Sequence, residues 1–304
     1  MIVYEFGLEK HFDRRMSVSD TPKSASIAQA RPQAPARRTA HEKSDATHSR
    51  WFLRPGARPG TGVRLFCFPC AGYGAAMYRQ WINAHLGELD IYPVQTPGRG
   101  TRLSEPAVAS LPDLVARLVP VIAPLTDRPY AFFGHSFGAV LAAFTCAALI
   151  RSGHPAPAHL FLSARQPPNR RGPVPPLSHL SDADFITEIN NRYGGIPAQI
   201  LDEPDILALL LPALRADIRA LEDLEGHQIL SLPVPITAYG GQSDAIVSPE
   251  LMDSWQHWTS AGYRRRLFEG GHFFIESQRD ALLKDMSETL AQSKTDYLRW
   301  RQPA

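Results

Sequence analysis

The feature that most constrains the fold is the stretch from Pro129 to Leu149, PYAFFGHSFGAVLAAFTCAAL. A short apolar run leads directly into Gly-His-Ser-Phe-Gly, and a helix-like pattern follows at once. This arrangement is typical of the turn that lifts a nucleophilic serine out of a sheet at a helix amino terminus. Side chains at Gly134 and Gly138 would collide with the neighbouring strand and helix. The stretch therefore predicts Ser136 as a nucleophile, and a purely structural turn is the alternative.

Downstream of residue 50 the chain alternates short apolar runs with longer amphipathic segments, which predict buried strands and helices respectively. The predicted strands are Val63 to Phe68, Asp90 to Val94, Tyr130 to Phe133, Leu160 to Ser163, 234–241 and 263–270. The predicted helices are Tyr78 to Leu86, Leu111 to Ile122, Phe137 to Arg151, one from Pro249 and one from about Asp280. Strand and helix in alternation indicate an α/β fold with a mostly parallel central sheet flanked by helices.

Between about Leu177 and Glu225 this alternation stops, and the sequence predicts only helical pieces. Ser181 and Glu203 are the predicted helix starts, because acidic residues follow each of them in the first turn. A helical block inserted into an α/β sheet commonly covers a site. We predict an inserted helical lid at about residues 177–226, and an extra layer that only adds stability is the alternative.

Residues 1–50 differ in composition from the rest of the chain. They are rich in Ser, Ala, Pro and Arg and have few large apolar residues, so they cannot offset the entropy cost of ordering. The sequence predicts a flexible leader at 1–50 and a single domain at 51–304. A docking arm and a later translation start at Met16 are the alternatives.

The overall composition excludes several classes of function. The formal net charge of the 304 residues is only +2, which gives no reason to expect nucleic acid or a membrane surface as the partner. No apolar run approaches the roughly 20 residues that a membrane-spanning helix needs. Three cysteines do not make a disulfide framework, so we expect a cytoplasmic protein.

Cys67 and Cys70 form a C-x-x-C pair, which is a pattern of redox or metal sites. Cys67 lies inside a predicted strand, and no second cysteine pair completes a zinc site. Cys146 lies in a predicted helix and is expected in the core. We therefore predict neither a metal nor a redox cofactor.

A serine hydroxyl is a weak nucleophile near neutral pH, so Ser136 requires a base and the base requires an orienting carboxylate. Where this turn occurs, the three groups follow along the chain in the order serine, acid, histidine. His272 is the predicted base because it lies in a glycine turn, EGGHFFI, after a predicted strand. His257 lies inside a predicted helix, which favours a surface or packing role.

Asp244 is the predicted acid, because its loop, AYGGQSDAIVSP, follows a strand and ends at a helix start. Glu250 and Asp253 belong to that helix and are expected to point elsewhere. The alternative for Asp244 is a simple turn cap through its own backbone. An oxyanion hole requires two backbone N–H groups, and the predicted donors are Phe137, which follows the nucleophile, and Ala71, in the loop after the first strand.

Several separated motifs together resemble the type II thioesterases, which are stand-alone α/β-hydrolases serving polyketide synthases and nonribosomal peptide synthetases. The motifs follow the order of that family and cover the chain from about Arg64 to the last helix. They are LFCFPCAGYGAAMYRQW, VQTPGRGTRL, DRPYAFFGHSFGAVLA, HLFLSARQPP, LLLPALRADIRALE, GGQSDAIVSPELMDSW and FEGGHFFI. The family pattern falls on Ser136, Asp244 and His272 and also suggests Ala71 and Phe137 as oxyanion donors. Two departures, Cys70 and Phe137, border the predicted acyl pocket.

The resemblance implies hydrolysis of acyl groups from the phosphopantetheine arm of an acyl or peptidyl carrier protein, without a cofactor and by a monomer. Five arginines in loops after strand ends are candidates for contacting the arm or its carrier; they are Arg99, Arg102, Arg165, Arg170 and Arg171. Three readings compete with this one. They are a carboxylesterase for small oxygen esters, an acyltransferase, and a carrier-binding module with an inactive site.

Overall fold

The computed structural model describes residues 50–53, 62–82, 84, 89–170, 175–194, 196, 198–224 and 230–300, with side chains described up to residue 292. The predicted leader, apart from its last residue, lies outside the described residues. No helix in the described part of the chain is long and apolar enough to cross a membrane.

Six strands form one sheet in the order β2-β1-β3-β4-β5-β6, and every neighbouring pair is parallel. The predicted α/β fold with a parallel central sheet is therefore confirmed. The strands are β1 (Val63–Phe68), β2 (Leu89–Pro93), β3 (Tyr130–His135), β4 (Leu160–Ser163), β5 (Ile236–Gly241) and β6 (Tyr263–Phe268). β2 begins one residue earlier than the sequence predicts, and β3 continues two residues further, up to the residue before Ser136.

Nine helices accompany these strands in the described residues. They are α1 (Arg79–Ile82), α2 (Leu111–Ile122), α3 (Phe137–Arg151), α4 (Asp182–Tyr193), α5 (Ala198–Leu201), α6 (Pro204–Glu222), α7 (Pro249–Asp253), α8 (Phe274–Ser277) and α9 (Arg279–Trp300). Ser181 caps α4 by accepting a hydrogen bond from the Asp184 N–H at 3.2 Å, and Glu203 precedes α6. The helix predicted at Tyr78 to Leu86 starts one residue later, at Arg79, because a 3₁₀ turn occupies Ala75–Tyr78 before α1.

The sheet separates two hydrophobic cores. Alternate side chains of β1 enter opposite cores, with Phe66 and Phe68 on one face and Leu65 and Cys67 on the other. α3 packs against the first face and is buried almost all round, which explains its uniformly apolar sequence. Helices α4, α5 and α6 form an insertion between β4 and β5, and a third, smaller core lies beneath it.

β6 is one of the two edge strands and carries three consecutive arginines. Arg264 and Arg266 both pair with Asp285 of α9, whose side chain is almost fully buried. The same carboxylate accepts a hydrogen bond from the Tyr239 hydroxyl at 2.7 Å. This network fixes α9 on the sheet edge at β5 and β6.

A buried histidine predicts a pH dependence of stability. His159, just before β4, stacks on Phe161 at 4.4 Å between ring centroids, and its Nε2 contacts the Thr237 hydroxyl at 2.8 Å. Burial lowers the pKa of His159 from 6.5 to about 4, with a further lowering from Arg264. Between these two pH values the unfolded chain therefore binds more protons at this site than the folded chain, so stability falls as the pH drops below 6.5.

We expect His159→Gln to remove this pH dependence. For the wild type, His159 costs about 2 kcal/mol of unfolding free energy between pH 8 and pH 5. Urea unfolding at the two pH values measures how far the unfolding free energy falls from pH 8 to pH 5. This fall should be about 2 kcal/mol smaller in His159→Gln than in the wild type. His257→Gln, at an exposed position, is the control, and equal decreases in all three proteins would contradict the prediction.

Candidate functional site

Ser136 lies in a strained turn between β3 and α3. Its backbone has φ 53° and ψ −114°, a conformation rare outside glycine, and its N–H donates to the Ser163 carbonyl at 2.8 Å. A Cβ at Gly134 would lie 2.1 Å from the Gly138 carbonyl oxygen, and a Cβ at Gly138 would lie 2.1 Å from the Phe68 carbonyl oxygen. The predicted need for glycine at both positions is therefore confirmed, since only a missing side chain allows α3 to approach β1 so closely.

His272 and Asp244 meet across the carboxyl ends of β5 and β6. His272 Nδ1 lies 2.8 Å from Asp244 Oδ2, and both side chains are almost fully buried. The other carboxylate oxygen, Oδ1, accepts hydrogen bonds from the backbone N–H groups of Ile246 at 2.9 Å and Val247 at 3.1 Å. Together these three contacts hold the Asp244 carboxylate in place against the imidazole.

The protonation of Asp244 follows from these contacts. Burial raises the pKa of Asp244, but the hydrogen bond and charge interaction with His272, together with the Ile246 and Val247 N–H groups, outweigh burial. The net pKa lies below the usual value of an aspartate. Asp244 is therefore an anion at neutral pH and can fix the ring tautomer and balance a positive charge on His272.

Ser136 and His272 line the same cavity. Within the described residues no hydrogen bond joins the Ser136 hydroxyl to the His272 ring, and His272 Nε2 is the ring nitrogen that Asp244 leaves available. Such contacts are often long in a ligand-free site and shorten when substrate binds. The structure brings the predicted base and acid into direct contact and places the predicted nucleophile in the cavity that His272 lines.

Of the two predicted oxyanion donors, one follows Ser136 directly in the chain and the other lines the same cavity. Phe137 is the first residue of α3, where a helix N–H has no partner within the helix. Ala71 belongs to the loop Cys70–Tyr73, whose four residues all line the cavity. Their roles as donors to a substrate oxygen stay a prediction.

The cavity is partly open to solvent and largely apolar. Most of its wall comes from the inserted helices, with aliphatic side chains of α4, α5 and α6 facing inwards. Tyr193, the last residue of α4, lies 5.1 Å from the His272 ring between centroids. The insertion therefore covers the end of the sheet where Ser136 and His272 lie.

Two of the five candidate arginines have other contacts, so that part of the hypothesis is wrong. Arg99 is buried and forms an ion pair with Asp217 of α6. Arg102 is buried as well, pairs with Glu105 and lies over the Trp51 ring. Both guanidinium groups are therefore paired within the fold, Arg99 with an acid 118 residues away and Arg102 with an acid three residues away.

Of the remaining three arginines, Arg165 lines the cavity and Arg170 is exposed, whereas Arg171 lies outside the described residues. The three cysteines are buried and unpaired, and burial raises the pKa of each thiol. No cluster of His, Cys, Asp or Glu able to hold a metal occurs in the described part of the chain.

The sequence did not single out His135, which lies beside the site. Its Nδ1 contacts the Ser163 hydroxyl at 3.0 Å, and its ring lies 5.4 Å from that of His272 between centroids. Burial lowers the pKa of His135 well below its usual value, and His272 lowers it further. His135 is therefore neutral at pH 7 and places no second positive charge beside His272. The position next to Ser136 in the motif was the only signal for it.

Comparison with known proteins identifies the class to which this fold and site belong. Residues 63–290 match the thioesterase domain family. The chain belongs to the thioesterase family.

Two relatives of known name are similar to this chain over most of its length. Thioesterase PikA5 of Streptomyces venezuelae is 31% identical over 242 residues, covering 79% of this chain and 85% of its own. LgrE of Brevibacillus parabrevis, named a linear gramicidin dehydrogenase, is 34% identical over 260 residues, covering 84% and 98% respectively. The name of LgrE denotes a different activity, but residues 63–290 of this chain match the thioesterase domain.

Solved structures agree with the family match. The type II thioesterase BorB from the borrelidin biosynthetic cluster superposes with a TM-score of 0.71 at 32% identity, over 79% of this chain and 97% of BorB. YbtT, the type II thioesterase of the yersiniabactin NRPS/PKS pathway, gives a TM-score of 0.71 at 27% identity, over 80% of this chain and 98% of YbtT. Within its family, the chain is a type II thioesterase.

The contact between α3 and β1 generates a prediction about Gly138. In Gly138→Ala the new Cβ meets backbone oxygens of Phe68 and Pro69, which cannot rotate away, so we expect a loss of about 3 kcal/mol or more in unfolding free energy. Gly153→Asn is the matched control, since Gly153 has φ +79° with open space around it and asparagine tolerates that conformation. Urea unfolding measures both, and a Gly138→Ala variant as stable as the control would contradict the prediction.

Proposed function

We propose that the protein hydrolyses acyl thioesters from the phosphopantetheine arm of acyl or peptidyl carrier proteins and so edits or releases chains during polyketide or nonribosomal peptide synthesis. The single observation that carries the proposal is the placement of Ser136 and His272, the latter bonded to Asp244, at an apolar cavity. The relatives named above, which include thioesterases of such pathways, support the choice of substrate class.

In the proposed mechanism Ser136 is the nucleophile and His272 is the general base. His272 Nε2 takes the hydroxyl proton as Ser136 Oγ attacks the thioester carbonyl carbon, and Asp244 stabilises the resulting imidazolium. The tetrahedral intermediate collapses by breaking the carbon–sulfur bond, and the departing sulfur takes the proton from the His272 imidazolium. This leaves an acyl-serine, a free thiol and a neutral His272. Water, deprotonated by His272, then attacks the acyl-serine and releases the free acid.

The leaving group makes the first step less demanding than ester cleavage. A thiol has a pKa of about 8.5, far below that of an alcohol, so the thiolate leaves with little help from a general acid. The developing negative charge lies instead on the carbonyl oxygen. The N–H groups of Phe137 and Ala71 are the proposed donors to this oxygen, and losing one such donor typically costs about 10²- to 10³-fold in rate.

The wall of the cavity supports an aliphatic acyl chain as the group that is removed. Side chains from the inserted helices supply an apolar surface, and Arg165 is the one permanently charged side chain among the described residues that line the cavity. Burying a charged or strongly polar acyl group there would leave it without hydrogen-bond partners, which costs free energy. In this proposal helices α4, α5 and α6 act as a lid, and Arg165 and Arg170 remain candidates for contacting the carrier arm.

Replacement of Ser136 tests the proposed nucleophile. We expect Ser136→Ala to lower kcat for an acyl carrier protein by at least about 10³-fold, because no acyl-enzyme can form. Intact-mass spectrometry of the carrier before and after treatment measures the release. Wild-type enzyme should also show a transient mass increase equal to one acyl group, and Ser136→Ala should not. Full activity of Ser136→Ala would exclude the proposed nucleophile.

The choice of acceptor and leaving group is tested with the same wild-type protein. Turnover of the acyl carrier protein is compared with that of an acyl-N-acetylcysteamine and of a p-nitrophenyl ester of the same acyl group. Hydrolysis of the carrier thioester with the highest kcat/KM is the expected result. A strong preference for the oxygen ester would support a carboxylesterase, and consumption of the thioester without free acid would support an acyltransferase.

A substitution in the cavity wall tests the acyl pocket. Leu211 of α6 lines the cavity, whereas Leu209 of the same helix is 41% exposed and does not. We expect Leu211→Trp to lower kcat/KM for a long acyl chain at least about tenfold more than for acetyl, since the larger side chain removes pocket volume. Leu209→Trp should leave both rates unchanged, and an equal effect on both chain lengths would contradict the assignment.

A further inference from the structure

A buried carboxylate outside the proposed catalytic groups contacts the loop that carries Ala71. Asp217 of α6 is fully buried, and its Oδ2 accepts a hydrogen bond from the Gly72 N–H at 2.9 Å. Oδ1 accepts from Arg99 Nη2 at 2.9 Å, and Arg99 Nη1 pairs with Oδ2. The carboxylate therefore binds both a loop amide and, in a two-point contact, a buried guanidinium.

Arg99 extends the same network along the loop Cys70–Tyr73. Its Nη1 also donates to the Tyr73 carbonyl at 3.3 Å, and its Nε donates to the Pro97 carbonyl at 3.3 Å. Gln95 completes the arrangement, since its Oε1 accepts from the Ala75 N–H at 3.0 Å and its Nε2 donates to the Arg99 carbonyl at 2.8 Å. The second half of the loop is thus held by Asp217 and Arg99 at Gly72 and Tyr73, and the chain just beyond it is held by Gln95 at Ala75.

Close packing accompanies these polar contacts. A Cβ at Gly72 would lie 3.1 Å from Leu214 Cδ1, so α6 packs directly on this loop. Gly72 has φ +78°, a conformation that bends the chain immediately after Ala71. The Asp217 contact at Gly72 therefore fixes the peptide that follows Ala71. The peptide that carries the Ala71 N–H is held as well, because its Cys70 carbonyl accepts a hydrogen bond from the Tyr73 N–H at 3.1 Å.

We propose that Asp217 is a positioning residue that, through Gly72 and Arg99, holds the Ala71 N–H in place for the oxyanion. This proposal rests on the proposed function of Ser136 and Ala71. It also gives the inserted helix α6 a second task besides lining the cavity, because the helix that walls the acyl chain also fixes an oxyanion donor. A displacement of about 1 Å in such a group can cost on the order of 10²-fold in rate.

The first experiment compares Asp217→Ala with Asp285→Ala. Both carboxylates are buried and pair with arginines, but Asp285 lies at the sheet edge against Arg264 and Arg266. We expect both variants to lose thermal stability. Asp217→Ala alone should lower kcat, by about 10- to 100-fold per folded molecule, with KM changed less than about threefold. Equal kcat values in the two variants would overturn the proposal.

In Asp217→Ala the buried Arg99 loses its partner charge, which destabilises the fold. A second pair of variants therefore removes both charges. Arg99→Met combined with Asp217→Asn removes both charges and keeps an oxygen that accepts from Gly72, whereas Arg99→Met with Asp217→Leu removes that acceptor as well. Two variants of similar stability should differ in kcat, with the asparagine variant at least about fivefold faster because it retains the Gly72 hydrogen bond. Equal kcat values at equal stability would overturn the proposal.

A further measurement distinguishes a failure of this proposal from a failure of the proposed function. Labelling of Ser136 by a fluorophosphonate requires the nucleophile and the oxyanion donors but no carrier protein. If wild-type protein labels rapidly and Asp217→Ala slowly, the role of Asp217 is supported even when no carrier thioester is hydrolysed. If the carrier thioester is hydrolysed but labelling is equally fast in both proteins, the proposed function is retained and the role of Asp217 is excluded.

Discussion

The first turn of α3 lies so close to the end of β1 that no side chain fits between them, and the site depends on this contact. A Cβ at Gly138 would lie 2.1 Å from the Phe68 carbonyl oxygen. Because β1 continues into the loop that carries Ala71, the same approach brings the start of α3 beside that loop. Ser136 occupies the strained turn between β3 and α3. The two proposed oxyanion donors, Phe137 and Ala71, belong to the two segments that this close approach brings together.

A second close contact positions the histidine loop. A Cβ at Gly241, the last residue of β5, would lie 2.2 Å from the Gly271 carbonyl oxygen, immediately before His272. The loop after β6 can therefore cross over the end of β5, and the Ser243 N–H donates to the Gly270 carbonyl at 2.9 Å. Asp244 follows directly and reaches the imidazole. Glycine in the first turn of α3 and at the end of β5 thus allows groups far apart in sequence to converge.

Local patterns predicted the strands, most helices and the residues at the site, because each of these leaves a signal within a few residues. The short apolar strand and the glycine pair around Ser136 are such signals, and the glycine turn before His272 is another. The ion pair between Arg99 and Asp217 joins positions 118 residues apart and leaves no such local signal in the sequence. Arg99 looked like a solvent-exposed loop arginine for this reason. His135 was overlooked because burial, which sets its neutral state, is a property of the folded chain.

The electrostatics of the site follow from the same burial. Asp244 and Asp217 are both held by backbone N–H groups, and each is matched by one partner, the His272 ring or the Arg99 guanidinium. Neither carboxylate lines the cavity, so each acts through the group that it holds. Charges at an apolar wall interact more strongly than in water, because the surroundings respond less to them. In the proposed function the inserted helices therefore have two roles: they line the acyl pocket, and one of them, α6, supplies the buried Asp217 that holds the Gly72 amide.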